Sequence, residues 1–71
     1  MERYEIPFFN ACIKAFGKRF SMSREKAYDY MKRYSGIAFL IEFYDAEHLQ
    51  SIEDTVDDLI LVCKNNGGSL S

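Results

Sequence analysis

Glu42, Asp45 and His48 follow one another at intervals of three residues, the spacing that gathers side chains on one side of a helix. Carboxylates and an imidazole so placed could share a divalent metal ion or work as a general acid–base pair. One helix supplies at most part of such a site, and the chain has only one histidine. The expected role of this polar cluster is therefore structural, with His48 near the negative end of its helix and bonded to Asp45 or to a backbone carbonyl. No Ser/His/Asp elbow accompanies it. The chain is expected to have no catalytic residue, no cofactor and no bound metal, and not to be an enzyme.

A second cluster lies further on. Asp54, Asp57 and Asp58, with Glu53 beside them, give the last predicted helix an acidic outer face without the glycine and alternation of an EF-hand loop. Leu61 and Val62 fall off the buried stripe of the same helix. An exposed apolar pair beside acids is what a contact with a partner protein, or with a second copy of the chain, requires. Asp54, Asp57, Asp58, Leu61 and Val62 are therefore the candidate partner-binding residues.

The opposite charge is gathered earlier. Up to Ser35 there are eight Lys and Arg against four Asp and Glu, and from Gly36 onward one against seven. Lys18, Arg19, Arg24, Lys26, Lys32 and Arg33, with Tyr28 and Tyr30 among them, suggest an alternative: a helix-turn-helix-like protein gripping nucleic acid with its basic half. The helix that would enter the groove, however, carries Glu42, Asp45 and Glu47 and no cation, so phosphates would be repelled there. Nucleic acid is the less favoured partner.

Composition bounds the rest. The chain has 71 residues, 48% of them hydrophobic and 15% aromatic, which argues for a folded domain and against disorder. So short a chain buries a modest core, and a partner would relieve that shortage. No apolar run is long enough to cross a membrane, and the first residues lack the pattern of a signal peptide. A cytoplasmic location is expected. Cys12 and Cys63 fit neither a disulfide framework nor a zinc spacing and read as buried, reduced thiols.

Four helices would position these groups. Ile6, Phe9, Ile13, Phe16 and Phe20 recur at helical spacing, with Pro7 in the first turn and Gly17 placed for close approach of another helix. After Ser21 or Ser23 as cap, a second helix sets Ala27, Met31 and Tyr34 on one stripe, and Gly36 ends it in the left-handed conformation. The third, Gly36 to His48, has Ile37, Leu40, Ile41, Tyr44 and His48 on one face and Phe39, Phe43 and Ala46 on another. Only Glu42, Asp45 and Glu47 remain for water. It reads as the central helix, covered on two flanks. Ser51 then caps a fourth, with Ile52, Val56, Leu59, Ile60 and Cys63 inward and Asn65 to Gly68 ending it. The expected fold is all-α, a compact bundle of four short helices forming one domain, ordered from about residue 4 to residue 66, with a frayed tail over Ser69 to Ser71.

This order of residues resembles a family of small uncharacterised bacterial proteins, a domain of unknown function. The resemblance spans about Phe8 to Gly67. It rests on Phe9, Cys12 and Ile13, on Met22-Ser-x-x-x-Ala-Tyr, on Tyr34-x-Gly-Ile, on Phe39-Leu-Ile-Glu-x-Tyr-Asp-x-x-His-x-Gln and on Val56-x-Asp-Leu. Members of that family are often encoded beside proteins with an ADP-ribosyltransferase-like domain. The resemblance thus implies an accessory or antitoxin-like module whose partner is such a protein, and it assigns no catalytic residue.

Overall fold

The computed structural model describes residues 5–68; the expected frayed tail, Ser69 to Ser71, lies outside them. Five helices follow in order: α1 (Glu5–Arg19), α2 (Arg24–Arg33), α3 (Gly36–Glu42), α4 (Tyr44–Glu47) and α5 (Ile52–Asn65). Among the described residues there is no strand, and the all-α expectation holds.

The caps lie where the serines and glycines allow them. Ser23 accepts a hydrogen bond from the Lys26 amide and Ser51 one from the Asp54 amide, so α2 and α5 each start on a side-chain cap. α1 ends with the Met22 amide donating to the Gly17 carbonyl at 2.8 Å and Ser21 in the left-handed region at φ 55°. α5 ends in the same manner, with Gly67 at φ 101° and the Gly68 amide donating to the Cys63 carbonyl at 2.8 Å. Each closure satisfies carbonyls that a helix end would leave bare.

Between α2 and α3 the outcome differs from expectation. Ser35, at φ 72°, takes the left-handed conformation, and Gly36 is the first residue of α3. Gly36 is required for space instead: a Cβ there would stand 3.1 Å from the Met31 Cβ and 3.2 Å from the Cys63 sulfur. Gly17 does what its position suggests, since a Cβ would meet the Met22 carbonyl oxygen at 2.9 Å and the Ala27 Cβ at 3.3 Å.

The core does not centre on the segment from Gly36 to His48. α1 packs against both α2 and α5, and α3 closes the bundle by touching α2 and α5. Phe9, Cys12, Ile13 and Phe16 from α1 meet Ala27 and Met31 from α2, Leu40 from α3, and Val56 and Leu59 from α5. The expected third helix is broken at Phe43, which ends α3 and begins α4: its amide donates to the Phe39 carbonyl, while its own carbonyl accepts from the Ala46 and Glu47 amides. The break resets the helical phase. Leu40 stays buried, but Ile41 is 56% exposed and Phe43 also faces outward, whereas Glu47, expected in water, is only 8% exposed. Helical periodicity does not carry a face across a break, and within the continuous α3, contact along one side alone still leaves Ile41 in water.

Candidate functional site

The three residues singled out for metal or acid–base chemistry are separated by that break. Glu42 ends α3, Asp45 lies in α4 and His48 follows it, all exposed. His48 Nδ1 lies 2.8 Å from the Tyr44 carbonyl oxygen, which accepts its proton in the tautomer this geometry selects. Its ring stacks on the Tyr44 ring, centroids 4.5 Å apart and planes 4° from parallel. Of the two partners expected for His48, a backbone carbonyl or Asp45, the structure shows the carbonyl, that of Tyr44. Among the described residues, no three His, Cys, Asp or Glu side chains are grouped to hold a metal ion.

A polar cluster does form nearby, from residues that sequence reasoning left in water or in a link. Gln50 Nε2 donates to Glu47 Oε1 and to Asp58 Oδ2, each at 2.8 Å. The Thr55 hydroxyl, buried on α5, donates to the Glu47 backbone carbonyl at 3.2 Å. The four-residue α4 is thereby tied to α5 at its C-terminal end. At its other end Tyr44 packs edge-on against Phe8, centroids 5.5 Å apart, and close to Phe9 of α1. Burial, then the Asp58 carboxyl as hydrogen-bond partner and as like charge, raise the Glu47 carboxyl from its ordinary 4.5 to about 7; the Gln50 amide opposes them. A signal was available: Thr55 lies one helical turn before Asp58 and Leu59, so a polar stripe borders the apolar one on α5.

Both cysteines are free and buried, as expected. Burial, with a smaller push from the Glu47 charge, holds the Cys12 thiol up at about 12. Burial also raises Cys63, against a hydrogen bond from the Gly36 amide. Neither is a ready thiolate nucleophile.

The candidate partner-binding residues divide into two kinds. Asp54 is exposed, and Leu61 is 57% exposed. Asp57 and Asp58 have internal partners: Asp57 pairs with Arg19 of α1 at 3.0 Å, and Asp58 turns toward Gln50. Val62 is half-buried. Lys18, Arg19, Arg24, Lys26, Lys32 and Arg33 are exposed along α1 and α2. Two open grooves score the surface. One, of about 370 Å³, runs between α1 and α5 past Ala15, Lys18, Arg19, Glu53 and Val56. The other, of about 300 Å³, lies between α1 and α2 beside Asn10, Arg24 and Tyr28. Glu47, His48 and the cysteines line neither.

Among the described residues, no helix is long and apolar enough to cross a membrane. No curated protein and no solved structure matches the chain. A family model described as a protein of unknown function, DUF3791, matches residues 7–66, a span that contains all the motifs from Phe9 to Leu59, and the chain belongs to that family.

Proposed function

We propose that this protein is a non-catalytic binding module that docks onto a partner protein through the outer face of α5. The observation that carries this reading is Leu61: a large apolar side chain 57% exposed in the middle of a helix whose flanking outward residues include Asp54 and Asp57. Ile41, Phe43 and Leu49 add exposed apolar groups from α3 and from the link after α4. Apolar contact ringed by charge is the usual composition of a protein interface, the charges setting approach and the apolar centre setting residence. The family resemblance supplies the kind of partner, an ADP-ribosyltransferase-like protein encoded nearby, and antitoxin-like occlusion of its surface as the mechanism in the cytoplasm.

Nucleic-acid binding is the second reading, favoured by the exposed basic residues of α1 and α2. It is weaker because α3, in the position of a reading helix, has seven residues and contains no Lys or Arg. Surface plasmon resonance against the protein that co-purifies from the host separates the two. Leu61→Ala is expected to speed dissociation, and Asp54→Lys to slow association and flatten its salt dependence. Asp54 is the better choice over Asp57 or Asp58, whose charges have partners within the fold. Unchanged kinetics in folded variants would remove α5 as the binding surface. Tight, sequence-dependent gel shifts at physiological salt would favour nucleic acid instead.

A further inference from the structure

Glu47 and Asp58 belong to different helices, yet one nitrogen, Nε2 of Gln50, donates to both at 2.8 Å. Two carboxylate oxygens sharing a single nitrogen neighbour are close enough to repel strongly if both groups are charged, and Glu47 has little access to water that would screen them. The ionisable groups facing Glu47 sharpen this. From α5 it meets Asp58; from α1 it meets the Cys12 thiol, which stays protonated. The acid of α3 is Glu42, which is exposed, and on α4 itself Tyr44 turns to Phe8 and Phe9 while His48 turns to the Tyr44 carbonyl. None of these supplies a cation to balance a second negative charge.

We propose that Glu47, Gln50 and Asp58 form a proton-operated latch that holds α4 against α5, closed when one proton is shared between the two carboxyl groups and loosened when that proton passes to water. Opening is confined to one end of α4, because Tyr44 keeps its aromatic contacts with α1 whatever the charge on Glu47. The Thr55 hydrogen bond to the Glu47 carbonyl is broken with it, and the buried end of α4, together with Gln50, becomes accessible. The latch is a property of the fold and holds whatever partner the protein binds.

The raised Glu47 carboxyl supports this reading and gives the experiment its window. Carbon-detected NMR titration of the wild-type protein should show the Glu47 side-chain carboxyl changing protonation above about pH 6, well clear of an ordinary glutamate. Amide-exchange protection, corrected for the intrinsic pH dependence of exchange, should fall across the same range at Glu47 and His48 and remain steady in α5. E47Q keeps the shape and an acceptor oxygen and carries no charge, so its protection at His48 should no longer respond to pH. E42Q, which removes an exposed charge, should behave as wild type. A Glu47 titration below about pH 5, or an E47Q variant whose α4 protection still falls with pH, overturns the latch. If E47Q fails to fold, the wild-type titration and exchange profile still decide the matter, and protection at Glu47 and His48 that stays flat while the carboxyl titrates overturns the latch.

Discussion

The seam between α1 and α5 and the segment formed by α3 and α4 are both rich in large apolar residues, yet they use them in opposite ways. Along the seam Cys12, Phe16, Val56 and Leu59 are closed to solvent, and the charged groups Arg19 and Asp57 stay at its rim. In the α3–α4 segment Leu40 alone among the large side chains is fully buried, Ile41 and Phe43 face outward, and an acid, Glu47, is inside. The denser run of apolar residues is thus the less central one. A short helix touching the bundle along one side can bury only the residues on that side, however apolar the others are.

Core truncations give the largest expected contrast. Phe16→Ala and Leu40→Ala should each destabilise by about 2–5 kcal/mol, as large-to-small changes at fully closed sites do. Ile41→Ala, one residue from Leu40, should cost less than about 0.5 kcal/mol because its side chain is mostly in water. Urea melts give both numbers. Comparable losses for Leu40 and Ile41 would mean that Ile41 is covered in solution, and that the segment is more central than its exposure indicates.

Next in size is the response to pH. Glu47 has its carboxyl raised from 4.5 to about 7. For a group raised on folding, the associated stability is fully present below the unfolded value and is lost as pH rises through the folded one. Stability should therefore decline between about pH 5 and pH 8, by roughly 3 kcal/mol at about 1.4 kcal/mol per pH unit. Above pH 9 the Cys12 thiol, held up at about 12, continues the decline in the same sense. Denaturant melts at fixed temperature across this range test the sign, and a flat profile from about pH 5 to pH 8 would place Glu47 in water.

How these regions differ in legibility follows from their chemistry. The stripes of α1, α2 and α5 could be read because each helix runs unbroken past its caps, so spacing alone places Phe9, Phe16, Ala27, Met31, Val56 and Leu59 inward. The break at Phe43 could not be read. No proline, glycine or cap residue marks it, and tertiary contacts, Tyr44 on Phe8 and Glu47 toward α5, decide it. The phase shifts beyond it, which is why Glu47 lies inward; Ile41 precedes it and is exposed because α3 touches the bundle along one side only. Gly36 shows a related ambiguity, since a glycine between helices can serve backbone conformation or packing, and the positions of Met31 and Cys63 distinguish them.

That ambiguity gives a smaller test. Gly36→Ala should cost about 1–3 kcal/mol, the usual range for forcing a methyl group into a filled site. Ser35→Gly should be neutral or stabilising by up to about 1 kcal/mol, because it relieves a left-handed residue at φ 72° while adding freedom to the unfolded chain. Thermal melts of both variants suffice. A destabilising Ser35→Gly beside a costly Gly36→Ala would return the left-handed role to Gly36, whereas a harmless Gly36→Ala would deny Gly36 both roles.

The smallest effect is expected from the ion pair at the rim of the α1–α5 seam. Arg19 and Asp57 meet at 3.0 Å, with side chains 50% and 59% exposed. Water screens such a pair, and fixing two long or mobile side chains costs entropy, so the coupling measured by a double-mutant cycle on Arg19→Ala and Asp57→Ala should lie below about 0.5 kcal/mol and fade in high salt. The single Arg19→Ala change is less informative, because the arginine stem also lines the groove beside Ala15 and Val56 and its loss removes packing as well as charge. The buried pair on α4 and α5 is the useful contrast. There two carboxyl groups are close together and Glu47 is shielded from water, so removing one should matter several times more than removing the attraction between Arg19 and Asp57. A coupling above about 1 kcal/mol at the rim would show that the ion pair helps to hold the seam, and the division between a closed apolar seam and an electrostatically controlled α4 would no longer stand.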